Sequence, residues 1–344
     1  MRRKALKSAR ALAASLAMLV AGIVPAMAQK AAPPPPCRGS DLIEELAKSD
    51  PAAHKRIVDL AAAIPNGNAI LWRVEGKNGA SPSHLFGTVH VSDDRIHAIP
   101  KAAEAALAAA TQVALEVDDL SAPRMAAAFA KLNNLIVYSG GKSLAKELDE
   151  TELKHARAIL GRIGLPGDMI GAVRPWLVAV MLAMPECEVK RMGAGLQPLD
   201  SVIQDKAKAR KVQVIGLETV EDQLRAMATV PDETQVIMLK ATLKLHDRLT
   251  DLFETTLARY LKRDLGSIWA LQIVLAEKLG YPRSALDAFE QQLVIIRNRK
   301  MRDGALPLIA KGGAFIAVGA LHLPGKEGLV ELLRAEGYTV TKLD

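Results

Sequence analysis

The chain has 344 residues, a formal net charge of +7, one half hydrophobic residues and only 3% aromatics. Five of the basic charges, Arg2, Arg3, Lys4, Lys7 and Arg10, lie in the first 28 residues, where there is no acid, so the formal charge of the remainder falls to +2. That near-neutral balance excludes a charge-driven nucleic-acid or anionic-membrane partner, and the aromatics are too few to favour the stacking platforms of a sugar-binding protein.

In chain order, residues 1–28 read as a signal peptide. A basic start precedes an apolar run from Ala11 to about Pro25, and Ala26-Met27-Ala28 puts small residues where a signal peptidase reads them. Cleavage is expected after Ala28, with a periplasmic or secreted product and no stable membrane insertion afterwards. The competing reading is an uncleaved anchor, but Gly22 and Pro25 interrupt a run that is short for a full span. Residues 29–40 form a Pro/Ala-rich arm, expected to be extended. Cys37 and Cys187 are the only cysteines; in an oxidising compartment they are expected to close a disulfide, the alternative being two unrelated thiols.

Residues 41–344 read as a single domain, because no interior linker divides them. Asp41 caps an amphipathic helix, and a second helical pattern runs from about Pro51 to Ile64. Ala69 to Val74 predicts a strand that turns through Gly76-Lys77-Asn78-Gly79 into a hairpin partner at Leu85-Phe86-Gly87. A helix of small residues spans Pro100 to Ala110, and Val113-Ala114-Leu115-Glu116-Val117 predicts a short strand carrying one carboxylate. A helical insertion follows at about 121–185, broken at Ser139-Gly140-Gly141 and Gly164-Leu165-Pro166-Gly167. The helix Pro198 to Arg210 feeds a strand from Val212 to Leu217 that ends in Glu218-Thr219. A helical block at about 232–303, its first helix unusually long, contains Arg297-Asn298-Arg299-Lys300. The chain closes with a strand from Ala314 to Gly319, a helix from about Lys326 to Glu336 and a strand from Tyr338 to Leu343. His54, His155 and His246 stand among charged neighbours and read as solvated helix residues. The fold class expected is α/β, with a mixed, largely parallel sheet covered by many helices.

Two stretches share one local design. Leu85-Phe86-Gly87-Thr88-Val89-His90 and Ile316-Ala317-Val318-Gly319-Ala320-Leu321-His322 each run an apolar strand into Gly-x-x-His. His90, Glu218 and His322 follow strands directly and Glu116 lies near the end of another, so four strands deliver two imidazoles and two carboxylates to one sheet edge. A lone carboxylate on a strand faces solvent, is paired, or is functional; flanking helices favour a covered sheet and a functional Glu116. The set suits a divalent metal held by two His and a carboxylate, and equally a metal-free acid/base site. A satisfied structural histidine is the bland alternative at each position.

These motifs, with Leu115-Glu116-Val117, Gly216-Leu217-Glu218-Thr219, Arg297-Asn298 and Gly319-Ala320-Leu321-His322-Leu323-Pro324-Gly325, resemble in their order the TraB/GumN family, to which Tiki metalloproteases belong. The resemblance covers about residues 66–343. It implies a fold akin to erythromycin esterase and ChaN-like proteins and a metal-dependent peptidase whose ion, zinc, manganese or cobalt, is held by His90, His322 and Glu116. It further implies that Glu116, Glu218, Arg297 and Asn298 line the catalytic site, with a peptide or other small substrate. The alternative class is a non-catalytic periplasmic protein of the same fold that binds a ligand, haem included, or aids assembly.

Overall fold

The computed structural model describes residues 34–344 apart from Asn78, so the predicted signal peptide and the start of the arm lie outside the described residues. Two compact units are present, each with its own core. One comprises Pro36–Asp118, Leu196–Thr219 and Thr250–Asp344; the other is built from Asp119–Gly195 and Val220–Leu249 with residues up to Pro35.

The first unit holds a six-stranded mixed sheet, mostly parallel, as the sequence predicts. Its strands are β1 (Leu71–Val74), β2 (Ser83–Thr88), β3 (Gln112–Leu115), β4 (Gln213–Gly216), β5 (Ala314–Gly319) and β6 (Val340–Lys342), in the order β4-β3-β5-β2-β1-β6. The first four in that order are mutually parallel. β1 and β2 make the expected antiparallel hairpin, and β6 pairs antiparallel with β1 at the edge.

Helices on both faces explain why the central strands are continuous apolar runs rather than alternating ones. All of β5 is buried: Phe315 and Ala317 enter a core with Phe86, Val113 and Leu115, whereas Ala314, Ile316 and Val318 enter another with Leu85 and Ala114. Helices Lys101–Ala109, Leu199–Ala209 and Leu265–Lys278 close the first core, through residues such as Leu107, Ile203 and Ile268. Helices Ile296–Lys311 and Leu329–Ala335 close the second through Met301, Ile309 and Leu333. Truncating a ring as deeply placed as Phe315 to alanine costs about 3–5 kcal/mol. The opening helical hairpin forms as expected, with Asp41 capping Leu42–Ser49 and Asp50 capping Pro51–Ala62, where proline takes the first turn.

Several expectations change. β3 ends at Leu115, leaving Glu116 just beyond it, and β6 is shorter than the strand expected from Tyr338 to Leu343. The first helix of the helical block, Asp232–Lys244, is 13 residues long and not unusual; the periodicity carries on through a 3₁₀ turn, His246–Arg248, that separates it from Leu249–Leu261. Helix Arg283–Glu290 runs into Ile296–Lys311 through a π-helical turn, Gln291–Ile295.

The second unit is helical, with Leu160, Trp176, Leu182 and Leu239 among its buried residues. Its predicted breaks fall where Gly140, Gly141 and Gly164 take positive φ. His155 and His246 are not the solvated residues expected. Their rings meet edge-on with centroids 5.7 Å apart, and Arg162 Nη2 lies 3.2 Å from His246 Nε2. Cys37 and Cys187 are both disulfide-bonded. Among the described residues no helix is long and apolar enough to cross a membrane.

Candidate functional site

Because β4, β3, β5 and β2 are parallel neighbours, their carboxyl ends share one edge of the sheet, the place where open α/β folds gather polar side chains. Glu218, Glu116, His322 and His90 each follow one of these ends. The structure brings all four together, and helix Ile296–Lys311 adds Arg297 and Asn298 from the side.

Glu116 is the centre of the cluster. Its Oε1 accepts from the backbone N–H of Gly319 at 2.7 Å and faces the Nε2 atoms of both His90 and His322 at 3.7 Å. Its Oε2 accepts from Arg297 Nη2 at 2.7 Å. Arg297 also grips Glu218 with Nε, at 3.0 and 3.1 Å to the two oxygens, and with Nη2, while its Nη1 donates to the Leu293 carbonyl at 3.2 Å. Burial alone would push the Glu116 pKa up; the neighbouring His90, His322 and Arg297 win and hold it well below the usual carboxylate range.

Each imidazole is oriented from behind. His90 Nδ1 donates to Asp200 Oδ2 at 2.7 Å, and Asp200 Oδ1 accepts from Thr88 Oγ1 at 2.6 Å. His322 Nδ1 lies 2.6 Å from Asn298 Oδ1, while Asn298 Nδ2 donates to the carbonyls of His322 and Glu327. That amide orientation makes Oδ1 an acceptor, so Nδ1 carries the His322 proton and Nε2 presents its lone pair to the cluster. Asp200 raises the pKa of His90 well above its ordinary value, and the Glu116 carboxylate adds to this. Burial instead lowers His322 to about 4, with Arg297 and His90 adding to the fall and Glu116 opposing it.

The glycines of the two Gly-x-x-His stretches serve space, not a left-handed turn, since neither is among the positive-φ residues. A Cβ on Gly319 would lie 3.0 Å from Glu116 Oε1 and 3.2 Å from His90 Nε2, filling the hollow between the functional groups. A Cβ on Gly87 would meet Ala320 Cα and Leu323 Cδ1 at 2.9 Å. A cavity of about 290 Å³ opens beside the cluster, touching His90, His322, Arg297 and Gly319.

The family model of the TraB/PrgY/gumN family matches residues 70–342. The chain belongs to this family. It is similar to the metalloprotease TIKI2 of Danio rerio, 24% identical over 319 residues that cover 79% of this chain and 60% of that protein. Metalloprotease TIKI1 of Danio rerio is 23% identical over 318 residues, covering 79% of this chain and 63% of TIKI1. The uncharacterized protein YbaP of Shigella flexneri is 25% identical over 281 residues, 81% of this chain and 98% of YbaP. The chain thus spans less than two thirds of the length of these metalloproteases and nearly all of YbaP. No solved structure matches it.

Whether this TraB/PrgY/gumN chain could hold a divalent ion is testable on its own geometry. Among the described residues no three His, Cys, Asp or Glu groups already stand at metal-binding spacing. Each imidazole Nε2 lies 3.7 Å from Glu116 Oε1, slightly more than the roughly 3.3 Å between donors on a tetrahedral zinc ion with bonds of about 2.0–2.1 Å. In kind the donors fit. Two Nε2 atoms and a carboxylate oxygen surround the hollow beside Gly319, and both imidazoles have the outer hydrogen bond from Nδ1 that metal-binding histidines show. Three carboxylates, Glu116, Glu218 and Asp200, stand against one guanidinium, an excess of two negative charges that a divalent cation balances when both rings are neutral.

Sequence reasoning missed Asp200, Thr88 and Tyr260. Asp200 lies in the first turn of helix Leu199–Ala209, where an acidic residue is ordinary and gives no signal. Thr88, inside the first Gly-x-x-His stretch, was legible as a polar group at a strand end. Tyr260, whose buried hydroxyl donates to the Gly87 carbonyl at 2.8 Å, is indistinguishable in sequence from a core aromatic.

Proposed function

We propose that this chain is a metal-dependent hydrolase acting on peptides, exported to the periplasm or beyond. The observation that carries the reading is the convergence of His90 Nε2, His322 Nε2 and Glu116 Oε1 on one hollow, with each ring's other nitrogen anchored. These three residues would hold the ion, which when bound would act as a Lewis acid and lower the pKa of water at the site.

The chain's own groups then have distinct tasks. Asp200 and Asn298 hold each ring by Nδ1, so Nε2 is the nitrogen that each ring turns to the hollow. Arg297 fixes both carboxylates; each of its three nitrogens already donates within the protein, which suits a positioning role. Glu116 is the acidic group nearest both imidazoles and serves as ligand or as proton acceptor. Similarity to TIKI2 and TIKI1, named as metalloproteases, supports hydrolysis of peptides. The disulfide supports export.

The test is metal analysis and peptide cleavage by the purified protein, with His90→Ala and His322→Ala measured alongside. Expected are roughly one divalent ion per chain, loss of cleavage on chelation, and loss of metal in both variants. A protein that cannot be loaded, or a double variant that cleaves as the parent does, overturns the reading.

A further inference from the structure

The cavity beside the two histidines is mostly apolar. Away from His90, His322 and Arg297 its walls include Ile268, Trp269, Phe289, Leu293, Val294 and Leu321, with Thr256 and Gln272 as polar groups among them. A second cavity, of about 270 Å³, shares Trp269, Gln272 and Val294 with the first and is lined further on by Arg283, Glu290, Lys326 and Glu327. The two therefore adjoin. The π-helical turn Gln291–Ile295 contributes to both: Leu293 and Val294 line the first cavity, Val294 and Ile295 the second, and Arg297 follows two residues later. Such turns are frequent at functional sites.

We infer that the site binds an extended peptide, seating a large apolar side chain between Trp269, Phe289 and Leu293 beside the histidines. The polar remainder of the peptide then runs past Val294 into the second cavity. This rests on the peptidase reading and names the substrate class within it. A volume near 290 Å³ is at the lower end for ligand pockets and suits one side chain rather than a cofactor. A charged group placed against Trp269, Phe289 and Leu293 would lose its water without an ionic partner there. Gln272, on the shared wall, offers an amide donor and acceptor suited to a peptide bond. Beyond it, charges of both signs suit a polar continuation rather than a second apolar residue.

Trp269 is a built-in reporter, because the other two tryptophans, Trp72 and Trp176, are buried at 3% and 2% exposure. Blocked hexapeptides of glycine carrying Leu, Phe, Ala or Glu at the third position would be titrated against the full chain by tryptophan fluorescence, and their cleavage assayed separately. Leu and Phe peptides are expected to bind at least about tenfold more tightly than the Glu peptide. Leu293→Lys should abolish that preference; should it fail to fold by circular dichroism, Phe289→Ala, which only truncates, carries the comparison. Equal binding of the four peptides, no binding of any, or a preference that persists in a folded variant overturns the inference. Selective binding without cleavage would sustain the pocket and sink the hydrolase reading, whereas cleavage indifferent to the apolar residue would do the reverse.

Discussion

His90 and His322 end the same four-residue pattern on neighbouring parallel strands, yet the protein treats them in opposite ways. The His90 side chain is 58% exposed and backed by a carboxylate; that of His322 is 9% exposed and backed by an amide. One is held toward the protonated state and the other toward the neutral one. What differs is not the motif but the residue behind Nδ1, supplied in one case by helix Leu199–Ala209 and in the other by helix Ile296–Lys311. A buried, neutral imidazole suits a fixed ligand, and an exposed one with a carboxylate behind it suits a station where a proton and a cation exchange. Glu116 connects the two.

The largest effect should come from removing what both halves share. Arg297→Met would leave Glu116 and Glu218 buried without their cation, and breaking a buried ion pair on one side costs about 3–5 kcal/mol. Urea unfolding should show that loss at neutral pH. The partner change Glu218→Gln in the same background should recover part of it, and failure to recover any would mean that Arg297 acts through packing alone.

The next effect separates the halves. Asn298→Ala leaves the buried Nδ1–H of His322 and two carbonyls without their partner, a loss of about 1–3 kcal/mol in unfolding free energy. Asp200→Asn keeps an acceptor for His90 and should change stability little, while weakening metal binding about 10–100-fold, the usual cost of losing an outer carboxylate. Calorimetric titration with zinc, paired with urea unfolding, reads both quantities. If the two variants behave alike in both, the contrast between the stations is wrong.

How much of this was legible in the sequence follows from what each residue needs. β5 could be read because a strand covered on both faces must be apolar throughout, and Glu116, His90, His322 and Glu218 could be read because they interrupt or follow such strands. The Arg297-Asn298 pair looked like a solvated helix face; only family resemblance drew attention to it, since nothing local distinguishes a guanidinium that neutralises two buried carboxylates. Asp200 was out of reach for a related reason. Its role depends on a contact spanning 110 residues, and local pattern carries no information about such pairings. The π-helical turn was hidden too, because one extra residue in a turn barely disturbs a helical periodicity.

The subtlest difference between the stations is their response to pH in the chelated protein. His322 is lowered to about 4 when folded from an ordinary value near 6.5, so between those limits the unfolded chain binds more protons. Stability from this group is therefore complete above about pH 6.5 and is lost as pH falls toward 4. For His90 the sign reverses: its folded pKa is raised, so its contribution is complete below about 6.5 and is lost as pH rises through the folded value. Glu116, held low, begins to lose its contribution as pH falls through its ordinary value near 4.5, at the acid end of the His322 window, and goes on losing it below that. Unfolding free energy measured against pH should thus fall on both sides of a maximum near neutrality. His322→Gln should flatten the acid limb between pH 6.5 and 4, by about 3 kcal/mol at most, and leave the alkaline limb. His90→Gln should flatten the alkaline limb, and by less, since its ring is more than half open to solvent. Should either substitution flatten the limb assigned to the other, the two histidines would have exchanged roles, and the neutral ligand would be His90.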